Sequence, residues 1–242
     1  MDDLEGDFEN REDVLRLWYD RYYSTTSATA NGSMFEKYMH RAMEARLGPG
    51  DTFDRVLEVG GNRGEHVPYV RHAFTQYVLS DLFMPDVPDS IDPRVTAEAA
   101  DVQDLPYEDG EFDRLVATCL LHHVPDPFAA LREMRRVVRP GGNITILLPT
   151  DPGLGYRTAQ RVTSGRSARN KGIGDFFKLV HAVDHLNHFD SISRQIDYVF
   201  KLRRSRHRLA ATASAVVERQ PVHREADSPE RRRARARDKA TA

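Results

Sequence analysis

The 242-residue chain contains one cysteine, Cys119, and one tryptophan, Trp18. A lone thiol excludes an intramolecular disulfide framework and any cysteine-cluster metal site. No apolar run approaches the length of a membrane span, and the acidic start Met1-Asp2-Asp3-Leu4-Glu5 has no apolar core of a signal peptide. A cytoplasmic protein without a membrane span is therefore expected. No phosphate-cradling loop ending in Gly-Lys-Ser/Thr is present, which argues against an ATP or GTP site. After Leu202 the chain has no Phe, Tyr, Trp, Ile or Gly, too little apolar surface to build a core of its own.

The composition that remains, with 40% hydrophobic residues, supports one α/β domain with an appendage. The net charge of -2 conceals an asymmetry, because 13 Lys/Arg face only 5 Asp/Glu from Lys201 onward. The body is thus acidic and the tail basic. An acidic body argues against a nucleic acid partner, whose binding rests on a basic footprint. Residues 1–50 carry two helical patterns, Arg11 to Tyr23 and Phe35 to Leu47, and form an N-terminal helical cap. Residues 51–202 form the main domain, with 151–189 as an insertion over the pocket mouth. Residues 203–242 read as a basic, disordered tail or the product of a shifted reading frame.

Within the main domain, strands are expected at 55–59, 77–80, 95–99, 112–119 and 143–149, with helices near 65–73, 127–138 and 190–200. The 84–92 connection is short and rich in proline. Alternation of this kind predicts a Rossmann-like, doubly wound, mostly parallel sheet. The closing C-terminal strands are degenerate or missing from the pattern.

The first strand runs through Val56-Leu57-Glu58-Val59 into Gly60-Gly61-Asn62-Arg63-Gly64-Glu65-His66. Such a turn brings backbone close to a ligand beyond the carboxyl ends of the strands, where Asp81, Asp101 and Thr118 also fall. A dinucleotide fingerprint places glycines at i, i+2 and i+5, but from Gly60 those positions hold Asn62 and Glu65. A pyrophosphate would meet a carboxylate there, so NAD is disfavoured. A ligand with sugar hydroxyls and an adenine but no phosphates remains.

These residues resemble the class I S-adenosylmethionine-dependent methyltransferases over roughly residues 50 to 150. The likeness continues through Leu79-Ser80-Asp81-Leu82, Ala100-Asp101-Val102-Gln103-Asp104, Phe112-Asp113 to Leu121-His122-His123-Val124, and Leu131-Arg132-Glu133 to Pro140-Gly141-Gly142. Asn62 stands where the family has its middle glycine, and asparagine tolerates the left-handed region that the turn requires. The resemblance implies S-adenosylmethionine as cofactor, lying over Gly60, Gly61, Gly64 and Thr118. It implies Glu58 at the methionine amino group, directly or through water, and Asp81 with Leu82 at the ribose. A carboxylate offers two acceptor oxygens to the two ribose hydroxyls. Asp101 and Val102 are implied at the adenine, with Asp104 a competitor for the same role.

His122 and His123 close the fourth strand beside the transferred methyl group in the family geometry. As catalytic candidates they could deprotonate a hydroxyl or amine acceptor, or they could be structural. No Asn-Pro-Pro-Tyr motif is present, which argues against methylation of adenine or glutamine amides, and a mid-strand Cys119 is badly placed to attack cytosine. A small-molecule acceptor, methylated on oxygen, nitrogen or carbon, is the reading. A binding module without catalysis is the alternative; an NAD or nucleotide-sugar enzyme of the same architecture is a weaker one. Tyr22 and Tyr23, together with Arg157, His185 and His188, are candidate acceptor contacts, and Arg161, Arg166, Arg169 and Lys171 could join them toward an anionic group. His185 and His188 have one-turn spacing but lack a third ligand, so no metal is expected.

Overall fold

Val56, Leu57 and Val59 are at most 1% exposed, because β1 (Thr52–Val59) lies at the centre of a sheet covered on both faces. The computed structural model describes residues 8, 10–26, 34–151, 153–200, 207–209 and 214–219. The other strands are β2 (Ala73–Asp81), β3 (Val95–Ala99), β4 (Phe112–Thr118), β5 (Val138–Pro149), β6 (His207–Leu209) and β7 (Ser214–Arg219). They form one sheet in the order β3-β2-β1-β4-β5-β7-β6. The first five strands run parallel. β7 pairs antiparallel with β5 on one side and β6 on the other. Since the chain leaves β1 for β2 on one side and returns to β4 on the other, a crevice opens at the carboxyl ends of β1 and β4.

Helices α1 (Arg11–Arg21), α2 (Tyr23–Thr26) and α3 (Met34–Met43) precede the sheet. α4 (Pro127–Val137) links β4 to β5, and α5 (Leu154–Val162), α6 (Ser164–Asn170), α7 (Gly174–Asp184) and α8 (Phe189–Phe200) follow β5. α4 starts where its sequence dictates: the Asp126 carboxylate accepts from the amides of Phe128 and Ala129, and Pro127 occupies the first turn. Its buried stripe of Ala130, Leu131, Met134 and Val137 joins Ile192, Ile196 and Val199 of α8 against one sheet face. Met39 and Met43 of α3 pack on the other face, against Val56, Tyr77, Leu79 and Val116.

The expected doubly wound architecture is present. Two local readings change. The helix expected at 65–73 is only a 3-10 turn at Val67–Tyr69, because Pro68 disfavours helical backbone in the residue before it and has no amide to donate. The closing strands are degenerate rather than missing, with β6 reduced to three residues. Both lie within the expected tail from Arg203; 201–206, 210–213 and 220–242 lie outside the described residues.

The insertion is not a separate polar lid. α6 and α7 bury Ala168, Phe176, Phe177 and Val180 against Val14 and Trp18 of α1, with Tyr22 and Tyr23 at the border. The two chain regions, more than a hundred residues apart in sequence, form a single roof over the crevice. α3, expected to belong to the same cap as α1, instead belongs to the sheet.

Candidate active site

The floor is the turn after β1. Gly60 (φ +68°) and Gly64 (φ +77°) adopt left-handed backbone, as does Asn62 (φ 45°), where asparagine is among the few side chains tolerated. A Cβ at Gly60 would meet Leu120 Cδ1 at 2.8 Å in addition to the backbone strain. A Cβ at Gly61 would collide with the Leu79 side chain. The turn is tied down by the Gly61 amide on the Ser80 carbonyl (3.0 Å). Glu65 folds back over it, accepting from Asn62 Nδ2 (2.7 Å) and the Arg63 amide (3.1 Å). That carboxylate caps the place where a dinucleotide would put its pyrophosphate.

Asp81 ends β2 with its two oxygens clamped separately, Oδ2 by the Asn62 amide (2.9 Å) and Oδ1 by the Leu82 amide (2.7 Å). Each oxygen keeps a second lone pair for a ligand hydroxyl. Burial pushes this carboxyl up despite the two amide bonds. Asp101 is held by the Gln103 amide (2.8 Å) and side-chain nitrogen (3.2 Å), while Gln103 Oε1 takes the Asp126 amide (2.9 Å). The acid at the far end of the crevice is thereby linked to the cap of α4. Val102 buries its side chain in the core, so only its backbone can serve a ligand.

Three expected cofactor residues sit differently from a simple contact set. Glu58 is only 2% exposed and accepts from Tyr77 Oη at 2.7 Å. Burial pushes its carboxyl up to about 7, against the pull of His66 and the Tyr77 hydroxyl. It supports the turn from below instead of lining the cleft. Thr118 turns its hydroxyl toward Met43 Sδ of α3 (3.5 Å). Leu82 is 60% exposed at the rim, flanked by exposed Phe83 and Met84.

Beyond β4 the chain passes through Cys119 in left-handed backbone (φ 51°), and burial pushes that thiol up to about 12, leaving it unreactive. His122 and His123 follow, and the connection after α7 is stapled to them. The His122 carbonyl accepts from the amides of Leu186 (2.8 Å) and Asn187 (3.2 Å). Asn187 Nδ2 donates to the Val124 carbonyl (2.8 Å). This brings His185 into the site, with ring centroids 4.5 Å from His122 and 5.2 Å from His123. His181 lies one turn back, 4.3 Å from His185.

Two of these imidazoles carry carboxylate partners. His123 Nδ1 is 3.0 Å from Asp184 Oδ2, and His185 Nδ1 is 3.0 Å from Asp151 Oδ2. Tyr19 of the roof donates to Asp184 (3.1 Å). Burial alone would raise the Asp184 carboxyl, but the His123 hydrogen bond and the charges of His123 and His185 hold it low. The His185 hydrogen bond does the same for Asp151. Among the described residues His122 has no such partner and its Nδ1 makes no hydrogen bond; it is buried, and burial with the neighbouring imidazoles keeps it neutral.

Of the acceptor-side candidates, only His185 reaches the cluster. His188 is exposed at the start of α8 and Arg157 is exposed on α5. The neighbouring Tyr156 faces inward instead, 6.2 Å from His185. Tyr22 packs on Phe176 and Tyr23 on Trp18 and Tyr19, so both are roof residues. Lys171 ties α6 to the end of α2 through Thr25 and Thr26. His188 drops out and residues 122 and 123 bring two further histidine nitrogens to His185, so the lack of a third ligand no longer argues against a metal.

The fit to a nucleoside ligand rests on this geometry: a turn with no room for side chains, and two fixed carboxylates along the crevice. Residues 57–146 match the family model described as a methyltransferase domain. They form a methyltransferase domain of the class I S-adenosylmethionine-dependent type, and S-adenosylmethionine is its cofactor. Among curated relatives, a 27-O-demethylrifamycin SV methyltransferase of Amycolatopsis mediterranei (strain S699) is 35% identical over 116 residues, 42% of each chain. A demethylmenaquinone methyltransferase of Mycobacterium marinum is 30% identical over 128 residues, 52% of this chain and 53% of that one. The chain spans about half the length of these relatives, or less. A Burkholderia thailandensis 1,6-didemethyltoxoflavin-N1-methyltransferase, solved with its didemethyltoxoflavin and S-adenosylhomocysteine, shares the fold. Its TM-score is 0.56 at 18% identity, covering 90% of this chain and 92% of that one.

Proposed function

We propose that this protein methylates an oxygen, nitrogen or carbon atom of a small molecule, with the acceptor held between the histidine cluster and the aromatic roof. The observation that carries this reading is the pairing of His123 with Asp184 at the carboxyl end of β4, in the same crevice as the clamped carboxylate of Asp81. When bound, S-adenosylmethionine supplies a methyl group already activated by its sulfonium, so the protein's work is positioning and exclusion of water.

Asp81 holds the ribose hydroxyls through the outward lone pairs of its two clamped oxygens, with Leu82 at the rim. Asp101 takes the exocyclic amine of the adenine and the Val102 backbone a ring nitrogen. Gly60, Gly61 and Gly64 let the methionine end lie on bare backbone, with the buried Glu58 carboxyl supporting that turn from below.

On the acceptor side, the Asp184 carboxylate fixes the Nδ1 hydrogen of His123, which leaves Nε2 as the acceptor of a hydrogen bond. An acceptor O–H or N–H bonded there has its lone pair oriented for in-line attack, with His122 beneath it. Tyr19, Tyr23 and Tyr156 offer flat aromatic surface to an apolar or ring-bearing acceptor. Both curated relatives are named for small-molecule acceptors, which supports the same class here. No helix among the described residues is long and apolar enough to cross a membrane.

The test is labelled methyl transfer to a metabolite extract, alongside calorimetry with S-adenosylhomocysteine. Transfer to a small product is expected. Tight S-adenosylhomocysteine binding with no transfer across broad extracts would overturn catalysis and leave a binding module.

A further inference from the structure

We propose that His122, His123 and His185 form a binding site for a divalent transition-metal ion such as zinc, with the fourth position left for the acceptor. One ring nitrogen from each of the three lies within 4.8 Å of the others. Around a tetrahedral zinc with bonds of about 2.0–2.1 Å, ligand nitrogens stand roughly 3.4 Å apart, so small rotations of the rings close the set.

Two independent observations point to an ion. The first is His122, a buried imidazole whose Nδ1 has no hydrogen-bond partner among the described residues. A buried polar atom without a hydrogen bond is costly, and a metal is one way to satisfy it. The second is the pair of carboxylates behind the cluster. Asp184 holds Nδ1 of His123 and Asp151 holds Nδ1 of His185, each at 3.0 Å. Metal-ligating histidines characteristically give their other nitrogen to a carboxylate, which fixes the tautomer and leaves Nε2 for the ion.

The donor set selects the metal. Three neutral imidazoles suit zinc and other late first-row ions and disfavour magnesium and calcium, which take oxygen ligands. Three protein ligands plus an open position is the arrangement of catalytic, not structural, zinc. The His122 carbonyl, bonded to the amides of Leu186 and Asn187, locks the two halves of the set together before any ion arrives.

The inference rests on the reading of this cluster as the acceptor side of the site, and replaces a hydrogen bond to His123 by coordination. An acceptor hydroxyl on the open position gives its proton to bulk water, and the oxygen keeps the bonding pair while attached to the ion. Its nucleophilic form is thereby populated without a free base.

The experiment uses the full chain, stripped with chelator and titrated with Zn²⁺ by calorimetry and with Co²⁺ by visible absorption. One ion per chain is expected, with a dissociation constant of about 1 μM or tighter and the intense absorption of tetrahedral cobalt. His122→Ala or His185→Ala should weaken Zn²⁺ binding by more than about 100-fold, and Asp151→Asn or Asp184→Asn by about 10–100-fold. His188→Ala, one turn away and exposed, should leave it unchanged. S-adenosylhomocysteine binding, measured on every variant, reports folding and tests the cofactor reading separately. Zn²⁺ binding that is absent from the folded parent, or equal in parent and His122→Ala, overturns the metal site whatever the cofactor result.

Discussion

His123 Nδ1 lies 3.0 Å from Asp184 Oδ2, a contact that joins the end of a sheet strand to the end of a roof helix 61 residues later in the chain. Asp184 is 5% exposed and also receives the Tyr19 hydroxyl, so it links the histidine cluster to the roof. Asp184→Asn keeps the size of the side chain but loses its charge. Methyl transfer should fall about 100-fold while S-adenosylhomocysteine affinity stays at the parent value. Loss of both together would mean that Asp184 holds the fold rather than positioning His123.

Asp81→Ala removes the carboxylate whose two oxygens are each fixed by a backbone amide. Hydrogen bonds to a charged group contribute about 1.5–3 kcal/mol, so S-adenosylhomocysteine should bind roughly 10–100-fold more weakly by calorimetry. Unchanged affinity would remove Asp81 from the ribose.

Glu58 gives the protein a pH dependence of definite sign. Its folded pKa of about 7 stands above the ordinary value of 4.5 because the carboxyl is buried. Between those values the folded chain holds a proton that the unfolded chain has released, so stability declines as pH rises from about 4.5 to about 7 and stays lower above that. The decline is of order 3 kcal/mol. Glu58→Gln, which can still accept from Tyr77, should flatten this part of the profile of melting temperature against pH and exceed the parent at pH 8. A variant with the parent's slope would assign the effect elsewhere.

Glu44 is fully buried between Arg114 of β4 and His66, and His66 Nδ1 meets His40 Nδ1 of α3 at 3.0 Å. Burial works against the Glu44 charge, yet the His66 hydrogen bond and the Arg114 charge keep its carboxyl below the usual range. Glu44→Gln removes the negative charge facing the buried Arg114 guanidinium and should cost about 3–5 kcal/mol in urea denaturation. Replacing both partners by apolar side chains, as in Glu44→Leu with Arg114→Met, should recover most of it. A double variant as unstable as the single one would show that packing, not charge, is what Glu44 supplies.

The glycine turn and the acids that end the next strands were legible because they are local. Gly60 to Glu65 declare a turn by themselves, and Asp81 and Asp101 follow strands whose apolar runs are plain in the sequence. The acceptor half was not. His122 and His123 stood out as candidates, but their partners Asp184 and Asp151 lie in a segment read by composition as a polar lid, and nothing in its local pattern pairs them with histidines. The apolar residues Phe176, Phe177 and Val180 carried a usable signal, a stripe needing a partner, and α1 is where it finds one. Arg157 stands out in the sequence by its charge, whereas the structure leaves it exposed and brings the neighbouring Tyr156 toward His185. The 65–73 helix failed on Pro68, whose ring outweighed the apolar spacing around it.

The roof, built from α1 and α7 and touching the cofactor floor through few side chains, has a consequence for how such a protein can change. The roof and the sheet face beneath the glycine turn are separately packed: Trp18, Phe176 and Phe177 share one buried cluster, and Val56, Leu79 and Val116 another. Repacking within the roof therefore need not move the strands that carry Gly60 and Asp81. The layer that can vary is one assembled from two distant stretches of chain.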